Sequence, residues 1–278
     1  MADVATDAAV AAAGEQEPAV LSERHGHTLV ITINRPESRN AINQAVHIGV
    51  GEALEEAEAD NEIRTVILTG AGDRSFCAGA DLKAVARGET IMPDDPTARA
   101  WGFAGYVEHQ IGKPTIAAVN GPALGGGTEL VLASDLAVAS STATFGLPEV
   151  KRGVLAAAGG AFRIAQQLPS KRAMELLLTG DGISAEEALE IGLVNGIAQP
   201  DAVLDAALAL AERVNMNAPL SVQASKRIAR QIVDGAVIAE ARLWKLTRDE
   251  QKIVRKSADY KEGPRAFAEK RAPQWLGR

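Results

Sequence analysis

The sequence predicts an α/β fold with a helical C-terminal region, and two observations carry this prediction. Short apolar runs bounded by Gly, Pro or Asn are typical of buried strands; they cover residues 29–33, 65–69, 115–119, 136–139 and 193–198. Segments with apolar residues at helical spacing separate these runs. After residue 200 only the helical pattern continues, so we expect a strand-containing core over residues 19–200 and a helical region over residues 201–278.

The N-terminal stretch, residues 1–18, is rich in Ala and contains acidic but no basic residues. We expect it to be a disordered extension and not a secretory signal, because a signal begins with a basic segment. The first strand, residues 29–33, is followed by a helix that Asn43 can cap and that runs to about Asp60. The strand at residues 65–69 then completes a strand–helix–strand unit.

The pattern between residues 70 and 111 is less regular. Gly88, Pro93 and Pro96 interrupt residues 84–99, which also carry several charges. We expect an irregular surface insertion there. A helix is expected to follow from about residue 100 to residue 111.

Helical segments dominate the second half of the chain. The glycine-punctuated segment 151–160 is expected to open a helix that ends near Leu168. Ser170 and Ser184 are expected to cap the next two helices, and Glu187 completes a capping-box pattern with Ser184. Amphipathic helices are then expected over residues 201–215, 221–232, 236–257 and 264–270.

Three consecutive glycines, residues 125–127, follow the strand at residues 115–119 and open an apolar helical segment. Glycine lets the backbone approach a ligand closely, and the first turn of a helix leaves N–H groups without partners. Such a place attracts negative charge. Glu129 lies in the same turn, so the segment could offer both an N–H donor and a carboxylate. A tight turn with a favourably placed acidic residue explains the pattern equally well.

Three segments together resemble one family, the crotonase or enoyl-CoA hydratase/isomerase superfamily. They are CAGADLK (residues 77–83), NGPALGGGTEL (residues 120–130) and FGLPE (residues 145–149), in the order and separation of that family. The resemblance runs from about residue 21 to residue 278. It implies a spiral of ββα turns followed by a C-terminal helical region that forms trimers. Periodicity alone does not distinguish this spiral from a doubly wound sheet.

The resemblance also implies an acyl-CoA site with a backbone oxyanion hole. Water adds to Cβ of a 2-enoyl thioester, and the enolate charge on the thioester oxygen needs fixed donors. The matching donors are the N–H groups of Ala80 and Gly126. Glu129 matches the carboxylate that activates water, and Glu149 matches the acid that supplies the Cα proton. Two glutamates favour reversible hydration, although double-bond isomerisation needs only one carboxylate.

The expected coenzyme A contacts also follow from the resemblance. They involve Arg39, Ala41, Ala78, Asp81, Leu82, Lys83, Phe267 and Lys270. Arg39 and Lys83 could equally be ordinary surface charges. In the family, the C-terminal contact is often made to a neighbouring subunit, so we expect a homo-oligomer, either a trimer or a dimer of trimers. Coenzyme A is expected as part of the substrate, and no prosthetic group is expected.

The sequence is compatible with several hypotheses about substrate and function. The segment Gly102-Phe-Ala-Gly105 and the C-terminal tail look like the carnitinyl-CoA dehydratase branch, whose substrate carries a trimethylammonium group. An aromatic cage could hold such a group, and Trp101, Phe103 and Tyr106 are candidates. Leu155-Ala156 replaces a proline that is usual in hydratases, which puts the shape of the acyl pocket in doubt. An isomerase and a non-catalytic CoA-binding or RNA-binding scaffold are further alternatives.

Composition argues against some classes of function. The net charge of −7 argues against nucleic-acid binding, although residues 240–278 contain 11 Lys and Arg against 6 Asp and Glu. The single cysteine, Cys77, is expected to be a core residue and fits a reducing, cytoplasmic compartment. No apolar run approaches the ~20 residues that span a bilayer. The four histidines have no metal-site spacing, so we expect neither membrane insertion nor a metal.

Overall fold

A computed structural model gives the structure of the chain and describes residues 17–278. The predicted disordered extension, residues 1–18, therefore lies almost entirely outside the described residues. The strands are β1 (Val20–His25), β2 (Thr28–Ile33), β3 (Thr65–Gly70), β4 (Thr115–Val119), β5 (Ala123–Leu124), β6 (Leu136–Ser140), β7 (Thr144–Gly146), β8 (Gly182–Ser184), β9 (Gly196–Ala198), β10 (Ile232–Val233) and β11 (Ala236–Val237).

The described α-helices alternate with these strands up to β9 and dominate after it. They are α1 (Gln44–Ala59), α2 (Leu82–Ala86), α3 (Pro96–Ala100), α4 (Gly126–Ala133), α5 (Gly160–Gln167), α6 (Ser170–Thr179), α7 (Ala185–Glu190), α8 (Val203–Asn215), α9 (Pro219–Arg230), α10 (Ala241–Lys256) and α11 (Ala258–Ala268). A 3-10 helix, Pro148–Arg152, follows β7. No helix within residues 17–278 combines the length and the apolar character needed to cross a membrane.

The described strands form three sheets: a larger sheet of six strands, a smaller sheet of three strands, and the two-stranded hairpin β10-β11. The larger sheet has the order β1-β2-β3-β4-β6-β9, and only β1 is antiparallel to its neighbour. The smaller sheet has the order β5-β7-β8. The chain visits the larger sheet, then the smaller sheet, then a helix, as in β4-β5-α4 and β6-β7-α5. This repetition confirms the expected ββα turns.

Isolated bridges extend the smaller sheet towards earlier turns of the chain. Ile42 pairs with Ala80, and Cys77 pairs with Ala123, both in parallel orientation. The loops after β2, β3 and β4 are therefore stacked side by side. This stacking brings the segment that precedes α2 against the segment that precedes α4.

Both faces of the larger sheet are covered, which explains why β3 is buried along its whole length. Side chains alternate between the two faces of a strand. Val66 and Leu68 join the main hydrophobic cluster, whereas Ile67 joins a second cluster that α8 completes. The domain boundary at residue 200 stays a prediction. The helix α8, which follows that boundary in the chain, packs directly on the sheet.

Several local predictions are confirmed. The Asn43 side chain accepts a hydrogen bond from the Val46 N–H at 3.0 Å and caps α1. Ser184 and Glu187 form the predicted capping box at the start of α7. Cys77 is buried, as expected of a core residue, and burial raises the pKa of its thiol to about 12.

The helix expected over residues 100–111 is wrong. The backbone at Gly102, Ala104 and Gly105 has positive φ angles of 74°, 62° and 66°, which a right-handed helix does not allow. Only α3 and a short 3-10 turn (Phe103–Gly105) form in this region. The preceding insertion is also less irregular than expected, because α2 and α3 lie at its two ends.

Other boundaries differ from the sequence-based expectation. The strand β1 was not predicted, because its exposed residues give it no apolar run. The helix expected from residue 151 begins only at Gly160. Ser170 is the first residue of α6 and not its cap. Strands also continue past residue 200, in the hairpin β10-β11.

Candidate active site

Two backbone N–H groups are free where the loops before α2 and α4 meet. Ala80 pairs with Ile42 through the N–H of Asp81 and the carbonyl of Gly79, so the N–H of Ala80 itself points away from that bridge. Gly126 is the first residue of α4. Neither N–H donates to an acceptor within residues 17–278. A β-carbon built on Gly79 would lie 3.2 Å from Gly126 N, so the two loops are in contact.

The ring of Phe103 covers Gly126. A β-carbon on Gly126 would overlap the Phe103 ring and would lie 3.2 Å from the Cα atom of Gly79. The sequence therefore needs glycine here because two neighbours approach the Cα atom closely. The positive φ angle of Ala104 lies in the turn that carries Phe103 to this position.

Glu129 lies in the first turns of α4 and is almost completely buried, with 4% of its surface exposed. Its Oε1 accepts hydrogen bonds from the N–H of Ala158 at 2.7 Å and from the N–H of Gly160 at 2.8 Å. Gly160 begins α5, so the free N–H groups of a second helix are directed at this carboxyl group. The two donors fix one oxygen and leave the other for a further partner.

Glu149 reaches the same place from the 3-10 helix Pro148–Arg152. A β-carbon on Gly125 would lie 3.0 Å from Glu149 Oε1, so this carboxyl group lies beside the three glycines. Its Oε2 is shielded from solvent and accepts no hydrogen bond from any group within residues 17–278. A buried carboxyl oxygen without a donor favours the protonated form.

Both carboxyl groups bind protons more tightly than an exposed glutamate. Burial raises the pKa of Glu129, and the nearby Glu149 carboxyl group raises it further. The N–H groups of Gly160 and Ala158 and the charge of Arg163 oppose this increase. Burial also raises the pKa of Glu149. The two groups therefore titrate as a pair, which can hold one proton near neutral pH.

This arrangement has the parts needed for proton transfer next to a developing oxyanion. Two N–H groups without protein acceptors are available at Ala80 and Gly126, and two carboxyl groups of raised pKa lie around Gly125 and the start of α5. One carboxyl group can accept a proton while the other donates one. The structure brings together all four residues that were predicted to carry out catalysis.

The loop before α2 contains most of the residues predicted to contact coenzyme A. The N–H of Ala78 donates to the carbonyl of Arg39 at 3.1 Å, so these two residues are adjacent. Arg39 is exposed, whereas Ala41 is buried and its carbonyl accepts from Arg35 Nη1 at 2.6 Å. Leu82 and Lys83 project from α2 and are exposed.

Asp81 has a structural task in this loop. Its carboxylate caps α2 by accepting from the N–H groups of Lys83 and Ala84 at 3.1 and 3.0 Å. Arg35 Nη2 lies 2.9 Å from its Oδ2. Burial opposes ionisation, but the Ala84 N–H and Arg35 together lower the pKa of Asp81. Its side chain is therefore already engaged within the chain.

The predicted C-terminal contacts lie near Glu149 in the same chain. Phe267 is 54% exposed, and the Arg152 guanidinium carbon lies 4.0 Å from its ring centroid. Lys270 follows the end of α11 with a φ angle of 54°. The helix α11 packs on the 3-10 helix that carries Glu149. A β-carbon on Gly263 would overlap the Arg152 carbonyl oxygen, so this contact is very close.

The three aromatic residues considered for a cage are separated. Trp101 stacks on His109 with ring centroids 4.9 Å apart. Tyr106 is 4% exposed, and its hydroxyl group is 2.8 Å from Ser134 Oγ. Only Phe103 contacts the proposed oxyanion hole. The contacts of Trp101 and Tyr106 lie elsewhere and do not support a cage built from all three.

Sequence reasoning missed one buried ion pair near the site. Arg163 and Glu240 are 2% and 5% exposed, and Arg163 Nη2 lies 2.7 Å from Glu240 Oε2. Arg163 stands between the apolar residues Phe162 and Ile164 on the buried face of α5. An arginine in that position was the available signal. Its partner 77 residues later could not be found from spacing.

No group of three metal-binding side chains comes together within the described residues 17–278. The prediction that the protein needs no metal stays a prediction.

Comparisons with known proteins show the family of the chain. The family model described as enoyl-CoA hydratase/isomerase matches residues 23–278. A crystal structure of carnitinyl-CoA hydratase from Mycobacterium avium is 57% identical; the match covers 95% of this chain and all of that chain, with a TM-score of 0.92.

Two curated relatives carry different names. A carnitinyl-CoA dehydratase of Citrobacter koseri is 42% identical over 92% of this chain and 97% of its own length. The enoyl-CoA hydratase EchA19 of Mycobacterium tuberculosis is 41% identical over 95% of this chain and 98% of its own length. Two relatives of nearly equal identity are therefore named for different substrates.

Proposed function

Because the chain belongs to the enoyl-CoA hydratase/isomerase family, we propose that it catalyses the reversible hydration of 2-enoyl-CoA thioesters to 3-hydroxyacyl-CoA. The observation that carries this proposal is the placement of two carboxyl groups of raised pKa beside two free backbone N–H groups. The proposal includes no prosthetic group, because the chemistry requires only proton transfer and charge stabilisation.

Each residue has one role in the proposed reaction. Glu129 accepts a proton from water as the water oxygen bonds to Cβ of the substrate. The electrons of the double bond move towards the thioester carbonyl, whose oxygen becomes negative and accepts from Ala80 and Gly126 N–H. Glu149 then gives its proton to Cα. The thioester gains one hydrogen and one hydroxyl group, and the transferred proton returns from Glu129 to Glu149 through solvent.

The hydrogen bonds of the two glutamates support this division of roles. The Ala158 and Gly160 N–H groups donate to Glu129 and favour its ionised form, as a base requires. Glu149 Oε2 has no donor within residues 17–278 and can carry the proton of an acid. The loss of one oxyanion-hole donor typically costs about 2.7–4 kcal/mol of transition-state stabilisation.

The test is the loss of the conjugated enoyl-thioester absorbance with crotonyl-CoA as substrate. We expect Glu129→Gln and Glu149→Gln each to reduce kcat by about 100-fold or more, with acyl-CoA binding retained. Glu187→Gln is the matched control, because Gln also serves in a capping box; its turnover should match the wild type. Unchanged turnover in both active-site variants would reject the assigned roles.

A second candidate substrate is crotonobetainyl-CoA. The observation that favours it is the 57% identity to a structure named carnitinyl-CoA hydratase, against 47% to a structure named enoyl-CoA hydratase from Mycobacterium tuberculosis. The same assay with both thioesters decides between the substrates. A higher kcat/KM for crotonobetainyl-CoA would assign the carnitine substrate. Absence of hydration with both, in a folded protein that binds CoA, would leave isomerisation or a scaffold role.

We also propose that the chain forms a homo-oligomer, a trimer or a dimer of trimers, in the cytoplasm. Large apolar side chains on the C-terminal elements support assembly, since each is more than half exposed in the single chain: Leu220, Ile228, Val233, Ile238, Leu246, Ile253 and Phe267. Sedimentation equilibrium tests this proposal. A stable monomer that retains full activity would contradict it.

Exposed residues near the loop before α2 are the proposed contacts for the phosphates of coenzyme A. Arg39 and Lys83 are both exposed cations there. We expect the double variant Arg39→Gln/Lys83→Gln to raise KM for the thioester with little change in kcat, because these contacts are remote from the reacting atoms. An unchanged KM would assign both residues to the ordinary surface.

A further inference from the structure

Arg163 is a cation in the protein interior, on α5, whose first residue donates a hydrogen bond to Glu129. Its Nε donates to Glu240 Oε1 at 2.9 Å, and its Nη2 donates to Glu240 Oε2 at 2.7 Å. Nη2 also donates to the Val107 carbonyl at 2.8 Å. Nη1 donates to no acceptor within residues 17–278. The guanidinium group is therefore fixed on one side and unpartnered on the other.

The connection to Glu129 is the first turn of α5. Gly160 donates its N–H to Glu129 Oε1, and Arg163 lies one turn further along. A β-carbon on Gly159 would lie 3.1 Å from Arg163 Nη1, so the guanidinium group extends back to the start of the helix. Burial raises the pKa of Glu129, and the Arg163 charge is among the influences that lower it.

Glu240 brings the counter-charge from the C-terminal helical region. It immediately precedes α10, and its Oε2 also accepts from Trp244 Nε1 at 3.1 Å. The Trp244 ring packs edge-on against Phe162 with ring centroids 5.0 Å apart. Three side-chain N–H donors thus hold the Glu240 carboxylate, and the start of α10 is joined to the start of α5.

A contribution to stability alone does not explain the buried Arg163–Glu240 ion pair well. Replacing a buried ion pair by apolar residues of similar volume is often neutral or stabilising. The pair would add little net stability, yet it puts a compensated positive charge beside the turn that binds Glu129. Its location therefore indicates a purpose connected with that carboxylate.

We propose that Arg163 is a positioning residue for Glu129, and that Glu240 controls how strongly the Arg163 charge acts on the active site. Arg163 favours the ionised base, and its guanidinium group lies beside Gly159, at the start of the turn that donates to that base. Glu240 partly cancels that charge. The C-terminal helical region thereby influences the chemistry without touching the substrate. This inference depends on the roles proposed above for Glu129 and Glu149.

Other charged or titratable groups also face this region. Glu149 faces Glu129 from the 3-10 helix, and Cys77 lies beside Gly127 but stays neutral because burial raises its pKa to about 12. Glu108 and Arg248 line a cavity of about 220 Å³ together with Arg163 and Glu240. Burial raises the pKa of Glu108. These groups stay unchanged in the variants that test the proposal.

The test is the pH dependence of kcat/KM in three variants. Two titrating carboxyl groups give a bell-shaped profile with an acidic and an alkaline limb. Glu240→Gln leaves the Arg163 charge uncompensated, so both limbs should move to lower pH by about half a unit or more. Arg163→Gln/Glu240→Gln removes both charges, so its limbs should lie at higher pH than those of Glu240→Gln. Arg163→Lys keeps the charge and should keep limbs near the wild-type positions.

Asp135→Asn is the matched control. Asp135 is a partly buried carboxylate that is also paired with the C-terminal region, through Lys226 at 2.8 Å and Arg230 at 3.1 Å. Its removal should lower stability without moving the limbs. If the limbs of Glu240→Gln and of the double variant lie at the same pH as those of the wild type, the proposal is overturned. If Glu240→Gln does not fold, the double variant is compared with the wild type and with Arg163→Lys. Because Glu240 only partly cancels the Arg163 charge, removal of both groups should move the limbs to higher pH than in either of them.

The outcomes separate this inference from the proposed function. Inactive Glu129→Gln and Glu149→Gln variants, combined with unmoved limbs in the Glu240→Gln and double variants, would reject the positioning role alone. Unchanged turnover in both glutamine variants would reject the catalytic roles themselves. Lower activity with unmoved limbs would assign the ion pair to structure only.

Discussion

Glu129 and Glu149 are two carboxyl groups that share a shielded site with little compensating charge. The cation near them, Arg163, is already paired with Glu240. Ionising both carboxyl groups would put two negative charges side by side in a poorly solvated place, which is costly. One proton on the pair is therefore the stable state over a range of pH that includes neutrality, and this state has both a base and an acid.

The pH profile of kcat/KM should be bell-shaped, and its limbs should lie at higher pH than those expected for two exposed glutamates. Burial raises the pKa of both glutamates, above the ordinary value of about 4.3. Below the acid limb both groups are protonated, and the base is lost. Above the alkaline limb both groups are ionised, and the acid is lost. A rate that stays constant up to pH 10 would contradict a carboxylic acid as proton donor.

Glu149→Gln should make the protein without substrate more stable at alkaline pH. The pKa of Glu149 is raised in the folded state, so folding favours its protonated form; this contribution is complete below the unfolded pKa and is lost as pH rises through the folded pKa. A glutamine side chain does not ionise, so the variant keeps its stability as the pH rises. We expect a gain of about 1–2 kcal/mol at pH 9, after allowance for partial exposure.

Urea denaturation at two pH values measures this gain. At pH 4 the wild type and Glu149→Gln should have nearly equal free energies of unfolding. The surface variant Glu175→Gln is the control and should track the wild type at both values. A Glu149→Gln variant that is less stable than the wild type at pH 9 would show that the ionised carboxylate is well solvated or paired.

Gly126→Ala should strongly impair turnover because the new methyl group would overlap the Phe103 ring. Adding Phe103→Ala makes room for the methyl group on that side, whereas the contact with Gly79 remains. We therefore expect partial recovery of kcat in Gly126→Ala/Phe103→Ala relative to Gly126→Ala. Purely additive losses in the double-mutant cycle would show that the ring does not control the position of Gly126.

The four residues proposed for catalysis were predicted from the resemblance of three short segments to one family. Local chemistry alone indicated only a possible N–H donor and the Glu129 carboxylate at the start of α4. Arg163 and Glu240 are different, because their pairing depends on how α10 folds back onto α5. No local pattern specifies such a contact.

The helix α11 supports the 3-10 helix that carries Glu149. Gly153 and Gly263 allow the two backbones to approach closely, since a β-carbon at either position would overlap a carbonyl oxygen of the opposite segment. Arg152 covers the ring of Phe267 from the same contact. The orientation of Glu149 therefore depends on a helix that lies more than 100 residues later.

Gly263→Ala should reduce kcat by moving this contact. Alanine is usually the better helix residue, by about 1 kcal/mol, so lower stability would come from the overlap with the Arg152 carbonyl, at about 1–3 kcal/mol. Gly196→Ala in β9 is the control, since nothing lies within 4 Å of its β-carbon position. Wild-type kcat and stability in Gly263→Ala would show that α11 does not fix the Glu149 loop.

Apolar runs located β2, β3, β4 and β6 correctly because each is a continuous buried strand. The polar strand β1 gave no such run, since it lies at the sheet edge with mostly exposed residues. Residues 100–111 contain Gly102 and Gly105, which disfavour a helix and both adopt positive φ angles, as does Ala104. These glycines were a local signal against the expected helix, and the turn that they allow places Phe103 over Gly126.

The larger sheet depends on α8 for one of its two covers. Val203, Ala207 and Ala211 pack on strand residues that include Val30 and Ile67. Asn215 at the end of α8 donates to Thr28 Oγ1 at 2.9 Å and accepts from Thr65 Oγ1 at 3.1 Å. The predicted boundary at residue 200 would separate the sheet from this cover.

A chain that ends at residue 200 should not fold cooperatively, because the apolar face under α8 would be exposed to water. Circular dichroism melting and binding of a hydrophobic dye test this expectation against the full chain. A sharp, reversible melt without dye binding would show that residues 19–200 are a self-sufficient domain. That result would support the boundary that the sequence analysis placed at residue 200.

The Thr28–Asn215 hydrogen bond joins residues that are 187 positions apart, and this has a consequence for biosynthesis. A ribosome completes β2 long before it makes α8, so the nascent chain carries an uncovered apolar sheet face while most of the protein is translated. The sheet cannot reach its final state until α8 has emerged. Until then its uncovered face is a hydrophobic surface that can drive aggregation of the nascent chain.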